Sequence, residues 1–83
     1  MVTVARIDGI QIVLHFNDHG RPHFHAVTTD DRVTIDIETL QLVKGSMPRA
    51  KYRLVKKWAQ SRQALLLEAW RACRSREIPE QIP

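Results

Sequence analysis

The sequence predicts a single small α+β domain over residues 1–83: an antiparallel β-meander of three to five strands within about residues 2–43, packed on one face by two C-terminal helices. Three observations predict it. Apolar residues recur at every second position along the segments between Val2 and Ile37, which is the strand period. After Pro48 they recur at i, i+3 and i+4, the helical period. The chain of 83 residues is also too short for two separate cores.

Each element has its own signal. Val2, Val4 and Ile7 open a first strand, and Asp8-Gly9 is a hairpin turn. A second strand is expected from Ile10 to Phe16, with Ile10, Ile12, Leu14 and Phe16 on the core face and Gln11, Val13 and His15 on the other. Asn17 to Pro22 contains the residue types that stop strands. His23 to Thr28 follows as a third strand, with Phe24 and Ala26 inward and His23, His25 and Val27 opposite. After the Thr29-Asp30-Asp31 turn, Val33, Ile35 and Ile37 alternate with Arg32, Thr34 and Asp36, a half-buried strand. Leu40 to Val43 reads either as a last strand or as an extended lead into the helices. Pro48 suits the first turn of a helix, where its missing N–H costs nothing. The stripe of Leu54, Val55, Trp58 and Ala59 continues in Leu65, Leu66, Ala69, Trp70 and Cys73, with a polar interruption at Gln60 to Gln63. Helices are therefore expected at about 48–60 and 62–74, and the tail 76–83, with two prolines in eight residues, is expected to fray.

Composition narrows the class. The longest apolar run, Ile12-Val13-Leu14, is far below the roughly 20 residues that cross a bilayer, and no secretion signal opens the chain, so a cytoplasmic location without membrane contact is expected. Cys73 is the lone cysteine and cannot form an internal disulfide. A domain of this size buries only roughly 60–65% of its unfolded surface, which leaves room for a homo-oligomer or a stabilising partner. Charge is split: residues 1–46 carry four Lys/Arg and six Asp/Glu, a net −2, whereas residues 47–83 carry nine and three, a net +6. The basic half points to a polyanion or an acidic protein as partner.

The segment Asn17-Asp18-His19-Gly20-Arg21-Pro22-His23-Phe24-His25, with Asp8-Gly9 before it, Met47-Pro48 after it and Leu66-Leu67-Glu68-Ala69-Trp70 near the end, resembles the bacterial family known as domain of unknown function 4160. The resemblance runs from Val4 to about Arg74. Arg21 stands where such relatives carry the first of two prolines, which implies a less rigid loop. The resemblance implies a toxin–antitoxin-type gene context with a small antitoxin-like protein as partner, and no defined activity.

The histidines have a reading of their own. If the second and third strands pair antiparallel with Phe24 inward, His15 comes opposite His23 or His25, with Asp18 and His19 in the adjoining loop. Three readings stay open. His15, His23 and His25 suit zinc, copper or nickel, since imidazole is a borderline donor. His19, His23 and His25, with Asp18 orienting one of them, suit metal-independent acid–base chemistry on RNA. A polar outer face or a partner contact needs neither chemistry nor cofactor. Arg49, Arg53, Lys56 and Lys57 line one side of the first helix and suit phosphate or an acidic protein. Trp58 and Trp70 read as core. No nucleophile triad or glycine-rich phosphate loop is present. The leading expectation is a toxin-like module acting through protein or nucleic-acid contacts, with ribonuclease activity as an extension and a metal-binding or purely structural domain as the alternative.

Overall fold

In the computed structural model, which describes residues 1–83, alternation and turn chemistry produce five strands: β1 (Val2–Ile7), β2 (Ile10–Leu14), β3 (His23–Val27), β4 (Arg32–Asp36) and β5 (Leu42–Gly45). They form one antiparallel sheet in sequential order, followed by α1 (Arg49–Gln60) and α2 (Gln63–Arg74). The α+β class, the meander and the two C-terminal helices are as the sequence predicts. Leu40 to Val43 resolves into a tight turn at Leu40 and a fifth strand that runs on to Gly45.

Turn residues set the register. Asp8 and Gly9 both have positive φ, +46° and +81°, the backbone of a two-residue hairpin turn that matches strand twist. Gly45 has φ +86°, and a Cβ there would collide with the Arg32 carbonyl oxygen, so the pairing of β5 with β4 requires glycine. In β1 a bulge between Thr3 and Ala5 turns both Val4 and Ala5 inward, which breaks the simple alternation.

The core lies between the sheet and the helices. Ile12, Leu14, Phe24, Ala26, Val33 and Ile35 from the sheet pack in one cluster with Val55 and Ala59 of α1 and Leu66, Ala69, Trp70 and Cys73 of α2. Val13, His23, His25, Thr34 and Asp36 point from the opposite side of the strands. Tyr52 donates its hydroxyl to the Leu40 carbonyl at 2.7 Å, and the Gln63 amide donates to the carbonyls of Ile37 and Glu38, so both helices grip the β4–β5 turn. Asp36 organises that turn: Oδ1 accepts the N–H groups of Glu38 and Thr39, and Oδ2 accepts Arg21 Nε at 2.8 Å.

Three expectations are corrected. Phe16 lies beyond the end of β2 and is exposed, because Asn17 adopts φ +56° and turns the chain away from the sheet before Phe16 can enter the core. The tail does not fray. Ile82 is buried in the core cluster, its N–H donates to the Val4 carbonyl at 2.8 Å, and Gln81 donates to the Thr3 carbonyl. β1 is an edge strand whose bulge leaves carbonyls unpaired, and an apolar residue at position 82 supplies both the missing donor and the missing cover. Pro48 also stands one residue earlier than expected, as the N-cap of α1.

Two outcomes follow. Ile82→Ala should lower unfolding stability by about 2 kcal/mol in urea denaturation, by loss of buried methylenes; a frayed tail would give no change. Arg21 foremost, with the Thr39 and Glu38 N–H groups, outweighs burial and holds the Asp36 carboxyl at about 2, below its ordinary 3.8. Its stabilisation is therefore complete above pH about 4 and lost as pH falls towards 2. Asp36→Ala should remove that pH dependence and cost on the order of 2–3 kcal/mol at neutral pH.

Candidate functional site

The register of the sheet assembles a row of polar side chains on the face away from the helices. Val13 pairs with His25, His25 with Thr34 and Thr34 with Lys44, while His23 pairs with Asp36. The pairing of β2 with β3 has the parity the sequence predicts, and it carries His15 to the same end of the sheet. The His15 and His25 rings meet edge to face at 4.5 Å between centroids, and His23 meets His25 likewise at 5.2 Å.

The loop after β2 adds the carboxylate. Asp18 Oδ2 lies 2.8 Å from His23 Nε2 and 3.6 Å from His25 Nε2, while Oδ1 accepts the His19 N–H at 3.0 Å. The loop is clamped at both ends. The Asn17 amide oxygen accepts two hydrogen bonds from the Arg76 guanidinium, at 2.7 and 3.0 Å, and the Asn17 N–H reaches the Cys73 carbonyl. At the other end Arg21 binds Asp36, and the Ile37 N–H donates to the Pro22 carbonyl. An ion pair thus holds the loop at position 21. Trp70, a core residue of α2, lies against the His23 ring at 4.8 Å and joins the cluster to the core.

Hydrogen bonds decide the ring states. His23 Nδ1 lies 2.8 Å from the Arg21 carbonyl, which can only accept, so Nδ1 carries a proton and Nε2 faces Asp18. His25 Nδ1 meets Thr34 Oγ1 at 3.2 Å, and its enclosed Nε2 has no hydrogen-bond partner. Burial first, then the neighbouring His15 and His23 rings, outweigh Asp18 and depress the His25 pKa from 6.5 to about 4. Burial likewise lowers that of His15. Burial raises the Asp18 carboxyl, but His23 and the His19 N–H outweigh it and leave the group below its usual range.

Of the residues singled out in the sequence, Asp18, His23 and His25 converge, with His15 packed beside them. His19 is exposed and contributes only its backbone N–H. Thr34, Trp70 and Arg21 are partners that pattern reading missed. Thr34 was legible in principle: once Phe24 is set opposite Ile35 in the core, His25 must lie opposite Thr34. Beside the cluster a cleft of about 380 Å³ is lined by Arg21, His23, Thr34, Asp36, Val43 and Lys44.

The basic residues form a separate surface. Arg49, Arg53 and Lys57 are exposed along α1, with half-buried Lys56 next to them over the Tyr52 ring. α1 packs its apolar side on the core face of the sheet and the histidines lie on the other. Arg49 and Arg53 thus lie on a different surface from His23 and His25.

The extent of the motif decides the family. The profile of a domain of unknown function (DUF4160) matches residues 9–71, from within the hairpin turn through the histidine segment and α1 to most of α2. The chain belongs to that family. No curated protein and no solved structure matches it. No helix is long and apolar enough to cross a membrane. Within this DUF4160 domain the chemistry is concentrated at one end of β3, and the positive charge on α1.

The burial of His25 has a measurable sign. In metal-free protein its ring should stay neutral down to pH about 4 in histidine-resolved NMR titration. Because the unfolded chain takes up this proton at the ordinary 6.5, its contribution to stability is complete above that pH and lost as pH falls to about 4. His25→Asn should flatten the stability profile within that window.

Proposed function

We propose that the protein is a toxin-like module that acts by contact with single-stranded RNA, made by the exposed face of α1. One observation carries this reading: α1 holds five cations, Arg49, Lys51, Arg53, Lys56 and Lys57, with no acidic residue, and none of them has an ion-pair partner. The carboxylates of the protein that make close charged or polar contacts meet Arg21, His23 and His25 instead. Like charges left unpaired on one helix repel each other, and a phosphate backbone relieves that repulsion while releasing its own counterions. Arg49, Arg53 and Lys57 recur every four residues and so stack along one side, within reach of successive phosphates of one strand. The histidines stand on the other side of the sheet, which favours contact over cleavage as the mode of action. A small acidic antitoxin-like protein would compete for the same face by the same charge.

Two measurements test this. Binding of a labelled 20-nucleotide RNA should weaken steeply between 50 and 200 mM salt, by about 0.7 log unit per log unit of salt for each phosphate contact. Replacing Arg49, Arg53 and Lys57 together by alanine should lower that slope by about 2. Induced expression should arrest bacterial growth with the wild type and with the His23→Ala/His25→Ala variant, but not with the triple variant. RNA binding without salt dependence, or arrest unchanged in the triple variant, overturns the reading.

A further inference from the structure

Each donor of the Asp18, His23 and His25 trio is held from behind. His23 gives its Nδ1–H to the Arg21 carbonyl at 2.8 Å, which leaves Nε2 as the atom that faces Asp18 Oδ2, also at 2.8 Å; the proton of that hydrogen bond is what a metal ion would displace. His25 Nδ1 meets Thr34 Oγ1 at 3.2 Å, and the Thr34 hydroxyl can accept from Nδ1–H, the tautomer that leaves the His25 Nε2 lone pair facing the same Asp18 oxygen, 3.6 Å away. Asp18 accepts the His19 N–H on Oδ1 and keeps Oδ2 for the two rings. Outer hydrogen bonds of this kind fix the tautomer and orientation of imidazoles that ligate metals.

The spacing fits an ion. Donors about 2.0–2.1 Å from a tetrahedral zinc stand about 3.3 Å apart. The distances from Asp18 Oδ2 to the two nitrogens, 2.8 and 3.6 Å, bracket that value, and the three donor atoms all lie within 4.8 Å of one another. His25 Nε2 points the same way. It is enclosed and has no hydrogen-bond partner, a state that costs about 1–3 kcal/mol unless something occupies its lone pair.

We propose that Asp18, His23 and His25 bind one divalent transition-metal ion of the zinc class, through a carboxylate oxygen and two Nε2 atoms. Two imidazoles and a carboxylate are the borderline and hard donors such ions accept. Three protein donors leave a tetrahedral ion one further position for water or an exogenous ligand, whereas structural zinc sites close with four. Asp18, with its side chain 28% exposed, marks the open side; the histidine side chains are 16% and 12% exposed. His15 is a packing neighbour on the edge of the His25 ring and does not donate, which separates this set from a three-histidine site. The site does not depend on the RNA contact of α1.

Titrating metal-stripped protein with Zn²⁺ against a chromophoric chelator tests it, with Co²⁺ absorption reporting coordination number. One ion per chain is expected. His23→Ala and His25→Ala should abolish stoichiometric binding, Asp18→Asn should weaken it at least about tenfold, and His15→Asn should leave it within a few-fold. Thr34→Val keeps every donor but removes the bond behind His25, and should weaken binding about 10–100-fold. Backbone amide spectra establish that each variant is folded, and the Thr34→Val and Asp18→Asn results stand even where an alanine variant unfolds. Absence of a 1:1 complex at micromolar zinc overturns the proposal, as does loss of the ion in His15→Asn with retention in Asp18→Asn.

Discussion

Burial of Phe24 and Ala26 against the helices is the constraint on which the rest of this structure depends. Strand side chains alternate, so once those two positions face the core, His23 and His25 must share the other face two residues apart. The same burial sets Ile12 opposite Ala26 and Ile35 opposite Phe24, because only that register keeps apolar partners together. Slipping β3 by one residue would place two imidazoles in the hydrophobic core and two apolar side chains on the polar face.

Alternation alone brings the rings near one another but supplies no carboxylate. That comes from the Asn17 to Pro22 loop, whose conformation is set by partners remote in sequence: Arg76 and Cys73 at the end of α2, Asp36 and Ile37 at the end of β4. Asp36 serves here as a structural carboxylate. It neutralises Arg21, closes the β4–β5 turn and so holds both the loop and the strand that carries Thr34. The cluster therefore rests on α2, β2, β3 and β4 at once, and its geometry is a property of the whole domain.

The sheet also keeps two chemistries apart. Its helical side carries positive charge outward on α1, and its open side carries the cluster of Asp18, His23 and His25. The arginines and histidines are only letters in a row in the sequence, and nothing there says that they fall on different surfaces of the domain. The tail is a similar case. Two prolines argue against regular structure and do so correctly, yet Ile82 finds an unpaired carbonyl on β1 and a gap in the core, neither visible without the bulge at Thr3–Ala5.

The sequence by itself determined the α+β class, the order of strands and helices, the hairpin at Asp8-Gly9 and the face on which His23 and His25 lie, because period, turn chemistry and pairing parity are local properties. Only the tertiary structure decided that Phe16 is exposed, that the tail is docked, that Asp18 rather than His15 completes the convergent trio, and that α1 and the histidines face opposite ways. Those outcomes depend on contacts between residues far apart in the chain, and the free energy of such contacts is set by packing and unpaired hydrogen-bonding groups that exist only once the domain is assembled.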